Sequence, residues 1–179
     1  MGVVHSFAHL SNESASQYQY DVVSGVSAGS ISNGLFSIFP KGQEKEMTEF
    51  GANIVENFNS SIVFKNWPDG GVLAGLTTKS GIFDDTPLWS FLNETVKRVN
   101  ATKFHRKLVV SSASVLTGTY HAFNESVGLE NLGTIIKASA SIPAVFPPTA
   151  FEGDLFMDGG TEWNTNIVTA INRCLETVS

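Results

Sequence analysis

Two hydrophobic periods alternate along this chain. Near the start, Val3, Phe7 and Leu10 keep helical spacing, so "GVVHSFAHL" is expected to form a short helix. A polar stretch from Ser11 to Gln19 separates it from "YDVVSG", whose β-branched residues predict a buried strand. Ser27 ends that strand. "SAGSISNGLFSIF" continues as a helix, small residues first and Leu35, Phe36, Ile38 and Phe39 later, until Pro40-Lys41-Gly42 breaks it. In "EKEMTEFGANIVENF", Met47, Phe50, Ile54 and Phe58 share one face of an amphipathic helix.

Residues 66–85, "NWPDGGVLAGLTTKSGIFDD", read as a glycine-rich loop with Trp and Phe anchors. "TPLWSFLNETVKRV" restores the helical pattern, with Thr86 as N-cap and Pro87 at the first helical position. "KLVVSSASV" and "TGTYHAF" are a strand pair joined near Thr117-Gly118, and "GLENLGTIIKASASI" is a helix that ends before Pro143. "DLFMDGG" is a short strand running into a glycine turn, and the last residues are helical. With no internal repeat and no linker, strands alternating with helices predict one domain over residues 1–179, of the α/β class.

Composition narrows the function. At 179 residues, 42% hydrophobic and 16% charged, the chain has enough apolar residues for a substantial core. A net charge of -6 argues against a partner made of nucleic acid, and no apolar run approaches a membrane span. Cys174 is the only cysteine, so neither a disulfide nor a thiolate metal site can form within the chain. Five N-x-S/T sequons, at Asn12, Asn59, Asn93, Asn100 and Asn124, lean toward the secretory pathway. A cytoplasmic or peripheral membrane location is the alternative.

The candidate chemistry starts at Gly25-Val26-Ser27-Ala28-Gly29. A nucleophile elbow needs a strand, a very tight turn and a helix in that order, with small neighbours so that strand and helix can approach. Val22 and Val23 lead into Gly25, and Ala28, Gly29 and Ser30 open the helix. The Ala28 N–H at the helix start is then a candidate oxyanion donor. The plain alternative is a Gly/Ser turn without chemistry.

A serine hydroxyl needs a base. His121 could complete a Ser27, Asp85, His121 order, but it lies in an alternating strand and reads as structural. His5 and His9 share a helical face without a nearby glutamate to complete a metal site. Two Asp-Gly-Gly turns remain. Asp158 follows the apolar Leu155, Phe156 and Met157 at a strand end, whereas Asp69 follows Trp67-Pro68 in a loop, so Asp158 is the better base.

With the elbow and "YDVVS", "KASASIPAVFPP" from Lys137 to Pro148, Asp158-Gly159-Gly160, and "GIFDDTPL" from Gly81 to Leu88, the chain resembles the patatin-like phospholipases. The matches run in family order from about residue 20 to 160. The resemblance implies a three-layer α/β/α fold, Ser27 as nucleophile, Asp158 as general base, and lipid acyl esters as substrates. No metal or organic cofactor is implied. The family also carries a first strand and a glycine-rich oxyanion loop before the helix that "MGVVHSFAHL" resembles. Both are expected to be absent here, which leaves Ala28 as the evident oxyanion donor and the chain truncated relative to the family. Asn164-Thr165-Asn166 stands where the family often has Asn-x-Pro.

Other residues carry weaker expectations. Pro143, Pro147 and Pro148 shape the loop toward Asp158. Trp67, Val72, Leu73 and Leu76 are either a lipid-facing flap or a static packed loop, and Lys79, Lys103 and Arg106 are either head-group contacts or scattered surface charge. The function expected is a phospholipase A or lysophospholipase type of hydrolase, with transient contact to a membrane surface. The alternatives are a non-catalytic lipid-binding domain and an acyltransferase using the same dyad.

Overall fold

The computed structural model describes residues 2–10 and 16–178. Its central strand is β2 (Lys107–Ser114), an eight-residue run whose interior is fully buried. β1 (Val22–Val26) pairs with β2 in parallel, with Val22 opposite Lys107 and Val26 opposite Ser111. β5 (Asp154–Asp158) pairs with β2 antiparallel, with Phe156 opposite Ser114 and Asp158 opposite Ser112. β3 (Tyr120–Phe123) pairs with residues that both of these strands touch. It must therefore take the other edge of β2, and β1 and β5 lie end to end on one edge. β4 (Thr149–Phe151), which the hydrophobic pattern does not reveal, closes the sheet against β5.

Helices cover both faces. On one side α2 (Ala28–Phe36), α6 (Thr86–Val99) and α7 (Leu132–Ser139) enclose a core of Val23, Leu35, Phe36, Leu88, Leu92, Leu108, Val110, Ile135, Ile136 and Phe156. α8 (Ile167–Val178) lies along β1 and β2. α3 (Glu44–Asn57) seats Met47 in the core and packs on α1 (Gly2–Ala8). Phe7 of α1 stacks on Tyr18 at 4.3 Å. The polar stretch at 11–15, with the Asn12 sequon, lies outside the described residues.

Three expectations change. Residues 66–85 contain α5 (Gly71–Thr77), preceded by the short α4 (Ser60–Val63). Gly75 there is buried against the Gly81 and Ile82 carbonyls, which is why a glycine occupies a helix interior. The N-cap of α6 is Asp85, and Thr86 is already helical. Arg106 is no surface charge. Only 4% exposed, it donates to the carbonyls of Tyr20, Phe39 and Pro40 and pairs with Glu44 at 2.8 Å. It thereby fixes the turn between α2 and α3.

β1 and α2 meet closely at Gly25. A Cβ there would stand 2.3 Å from the Gly29 carbonyl oxygen and 2.6 Å from the Ser30 nitrogen, both backbone atoms that cannot step aside. A Cβ on Gly29 would meet nothing within 4 Å. The two elbow glycines are therefore unequal. Gly25→Ala should destabilise the fold by about 3 kcal/mol or more, whereas Gly29→Ala should hold or slightly raise the melting temperature; thermal unfolding of the two proteins checks this.

Glu125 joins α8 to β2. It accepts from the Leu108 N–H at 3.0 Å and pairs with Arg173 and Lys107. Burial pushes its carboxyl up, but the Leu108 N–H and Arg173 outweigh burial and hold it below the usual glutamate range. A carboxyl lowered on folding contributes stability that is present above its unfolded value and lost as pH falls through the folded one. Glu125→Gln should therefore melt below wild type at pH 7, with the gap closing as pH drops below about 4.3, read from melting temperatures across that range.

Candidate active site

Val26 occupies the last position on its edge of β2 before Asp158. Ser27 cannot extend the ladder and turns outward, with φ 53° and ψ -127°. Such a backbone costs a non-glycine residue on the order of 1–3 kcal/mol. Three hydrogen bonds hold it. The Ser27 N–H donates to Ser139 Oγ at 3.0 Å, and its carbonyl accepts from the Ser30 N–H at 2.9 Å and Ser30 Oγ at 2.6 Å.

In this conformation the Ser27 hydroxyl donates to Asp158 Oδ2 at 2.5 Å. Asp158 is 5% exposed, and its other oxygen accepts the Gly160 N–H at 2.8 Å. Its own N–H donates to the Ser141 carbonyl at 2.9 Å, so backbone and carboxylate are both fixed. Space requires a glycine at 159, which lies against backbone, whereas at 160 a Cβ would meet only side-chain atoms. A Cβ on Gly159 would lie 2.5 Å from the Ser111 carbonyl oxygen, and one on Gly160 would lie 2.5 Å from Asn164 Oδ1. Asn166, where the family often has proline, donates to Ser111 Oγ at 3.2 Å and accepts from the Thr169 N–H in the first turn of α8. Burial pushes the Tyr120 phenol up against the pull of a Ser111 hydrogen bond, and the Asp158 charge adds a smaller push in the same direction as burial. Tyr120 thus stays a neutral neighbour, its hydroxyl donating to the Trp163 carbonyl.

Ala28 is exposed as the first residue of α2. An α-helix leaves the N–H groups of its first turn without intrahelical acceptors, and its dipole adds positive potential there. From Ala28 an apolar groove of about 250 Å³ runs between α2 and α3, lined by Ile31, Leu35, Phe50, Ile54 and Phe58. At its rim Val55 is 56% exposed.

The other candidates fall elsewhere. Asp69 is exposed in the turn before α5. His121 is exposed, with its ring tilted against those of Phe123 and Phe156. Asp85 pairs with Lys137 at 3.0 Å; burial pushes its carboxyl up against the pull of that lysine. The His5 and His9 rings lie 4.0 Å apart, tilted to each other, and Glu49 of α3 does reach His9, at 3.4 Å. Even so, the described residues hold no cluster of three potential metal ligands. Lys79 lies over the Trp67 ring at 5.5 Å. Trp67 donates to the Gly81 carbonyl, and the Gly81 backbone presses on Phe146 and Pro147. The segments 81–88 and 137–148 therefore pack on each other, with Ile82 and Phe83 donating to the Ala144 and Val145 carbonyls.

Sequence reasoning missed Ser139, Ser141 and Lys137 as contributors to the site. Their alternation in "KASAS" at the end of a helix was visible, but nothing in it names the elbow or Asp158 as partners.

A comparison with curated proteins gave no match. A comparison with protein-family models matches residues 1–171 to "Patatin-like phospholipase". That match takes in the strand–turn–helix at Ser27, the segment at 137–148 and the turn at Asp158. The chain belongs to the patatin-like phospholipase family, whose members are lipid acyl hydrolases.

Proposed function

We propose that this chain hydrolyses acyl esters of lipids, as a phospholipase A or lysophospholipase, through a dyad of Ser27 and Asp158. The observation that carries this reading is the 2.5 Å hydrogen bond from the Ser27 hydroxyl, on a backbone at positive φ, to a buried carboxylate. Asp158 takes the hydroxyl proton as Ser27 Oγ attacks the ester carbonyl carbon. The carbonyl oxygen becomes an oxyanion, met by the Ala28 N–H and the dipole of α2. When the tetrahedral intermediate collapses, the bond to the alcohol breaks and Asp158 returns the proton to the leaving oxygen. Water then attacks the acyl-serine and gives its proton to Asp158. The fatty acid leaves as that proton goes back to Ser27 Oγ.

The groove beginning at Ala28 supports a lipid acyl chain as the group beside the carbonyl. Phe36 lies eight positions after Ala28 on α2, about 12 Å of helix. Its lining offers aliphatic and aromatic contacts and no charge. Val72, Leu73 and Leu76 on α5 are 44%, 70% and 65% exposed and supply apolar surface for a transient contact with a membrane.

Ser27→Ala and Asp158→Asn should each lower release of fatty acid from phospholipid vesicles by at least about 1000-fold, and Asp69→Asn should leave it unchanged. A fluorophosphonate probe should modify Ser27 in the wild type, located by mass spectrometry. A folded chain that neither turns over nor takes up the probe would support a lipid-binding domain without catalysis. Acyl glycerol as the main product with added glycerol would instead identify an acyltransferase. Ile31→Trp, which fills the groove, should lower kcat/KM for p-nitrophenyl palmitate at least about tenfold relative to the butyrate ester.

A further inference from the structure

We propose that Ser139 is a positioning residue for the nucleophile, and that the segment from Lys137 to Ser141 sets the separation of Ser27 from Asp158. This inference rests on the reading of that pair given above.

Ser139 ends α7 and is completely buried. Its hydroxyl has one proton and two lone pairs. The proton goes to the Ser111 carbonyl at 2.6 Å, on the β2 residue that faces Val26. A lone pair is thereby left for the Ser27 N–H at 3.0 Å. One side chain thus ties the strained elbow residue to the strand beneath it. Alanine there would leave a half-buried N–H and a buried carbonyl without these partners, just where the backbone is least willing to stay.

Ser141, two residues on, holds the other member of the pair, since its carbonyl accepts the Asp158 N–H at 2.9 Å. A closed ring of hydrogen bonds braces Ser141 itself. Lys137 Nζ donates to Thr149 Oγ1 at 3.0 Å, the Thr149 hydroxyl donates to Ser141 Oγ at 2.9 Å, and Ser141 Oγ donates to the Lys137 carbonyl at 2.9 Å. Every hydroxyl proton has one destination. Asp85, at the start of α6, pairs with Lys137 and anchors the ring to the neighbouring helix. Nucleophile and base come from distant parts of the chain, yet each hangs from the same five-residue segment. A shift of about 1 Å in such a pair costs on the order of 100-fold in rate, and this segment adds a second tie between the two beside the one through Ser111 and Ser112 of β2.

The test compares wild type with Ser27→Ala, Ser139→Ala, Ser139→Thr and Thr149→Val, all as the full chain. Ester hydrolysis, melting temperature and hydrogen exchange of the Ser27 amide by NMR are measured on each. Ser139→Ala should lower kcat by about 10- to 100-fold with KM within about twofold, and its Ser27 amide should exchange faster while the melting temperature stays within a few degrees. Ser139→Thr, which keeps the hydroxyl, should restore both kcat and amide protection. Unchanged kcat in Ser139→Ala, or a Ser27 amide as protected as in wild type, overturns the proposal. Should Ser139→Ala fail to fold, Thr149→Val decides, because it breaks the ring from outside the segment. A native melting temperature with wild-type kcat there counts against the proposal, and a lowered kcat supports it. If Ser27→Ala itself keeps activity, the dyad reading falls, while amide exchange still reports whether Ser139 holds the elbow.

Discussion

Val26 stops opposite Ser111 and Asp158 stops opposite Ser112, so two strand ends share one edge of β2 with no residue between them. The constraint is steric before it is chemical. A parallel strand and an antiparallel strand that reach the same point from opposite sides must both leave the sheet there. β1 leaves through the tight turn at Ser27, and β5 leaves through Gly159 and Gly160. The side chains at the two exits are thereby forced together. Gly25 and Gly159 are glycines for the same reason, since each lies against a backbone carbonyl of the crowded junction.

The junction is polar and buried, so its groups need partners. Ser111, Ser139, Ser141 and Thr149 are all buried, yet each makes hydrogen bonds to backbone or to one another. Lys137 and Asp85 add an ion pair at the edge of this network, where the lysine also serves a hydroxyl. A hydrophobic core alone would hold the layers together without fixing the direction of any oxygen. Orientation comes from this smaller polar core, which lies just under the strand ends.

Much of the fold was legible in the sequence because hydrophobic period and turn residues agreed. β1, α2, α3, α6, β2, β3 and β5 all appear where the pattern places them. α5 was hidden because Gly70, Gly71 and Gly75 imitate a loop, and the burial that makes Gly75 useful depends on Gly81 and Ile82. Arg106 read as surface charge because its partners are main-chain carbonyls, which have no sequence signature. At the site, the strand–turn–helix around Ser27 could be read locally. Asp158 stood out as a base from its place at the end of an apolar strand, and the family resemblance agreed, but its approach to Ser27 could not be derived from spacing. Ser139 and Ser141 stayed silent because serine near a helix end is common, and only the sheet register gives them the elbow and Asp158 to bond.

Ser27 and Asp158 are 131 residues apart in sequence. Contacts of such long range form late, because the entropy of closing the loop must be met before they contribute. During synthesis the elbow emerges long before its carboxylate partner, and for that interval its hydroxyl is an ordinary alcohol. For the dyad proposed above, the pairing of β5 with β2 is therefore the folding step that completes it, since only that docking brings Asp158 to the Ser27 hydroxyl.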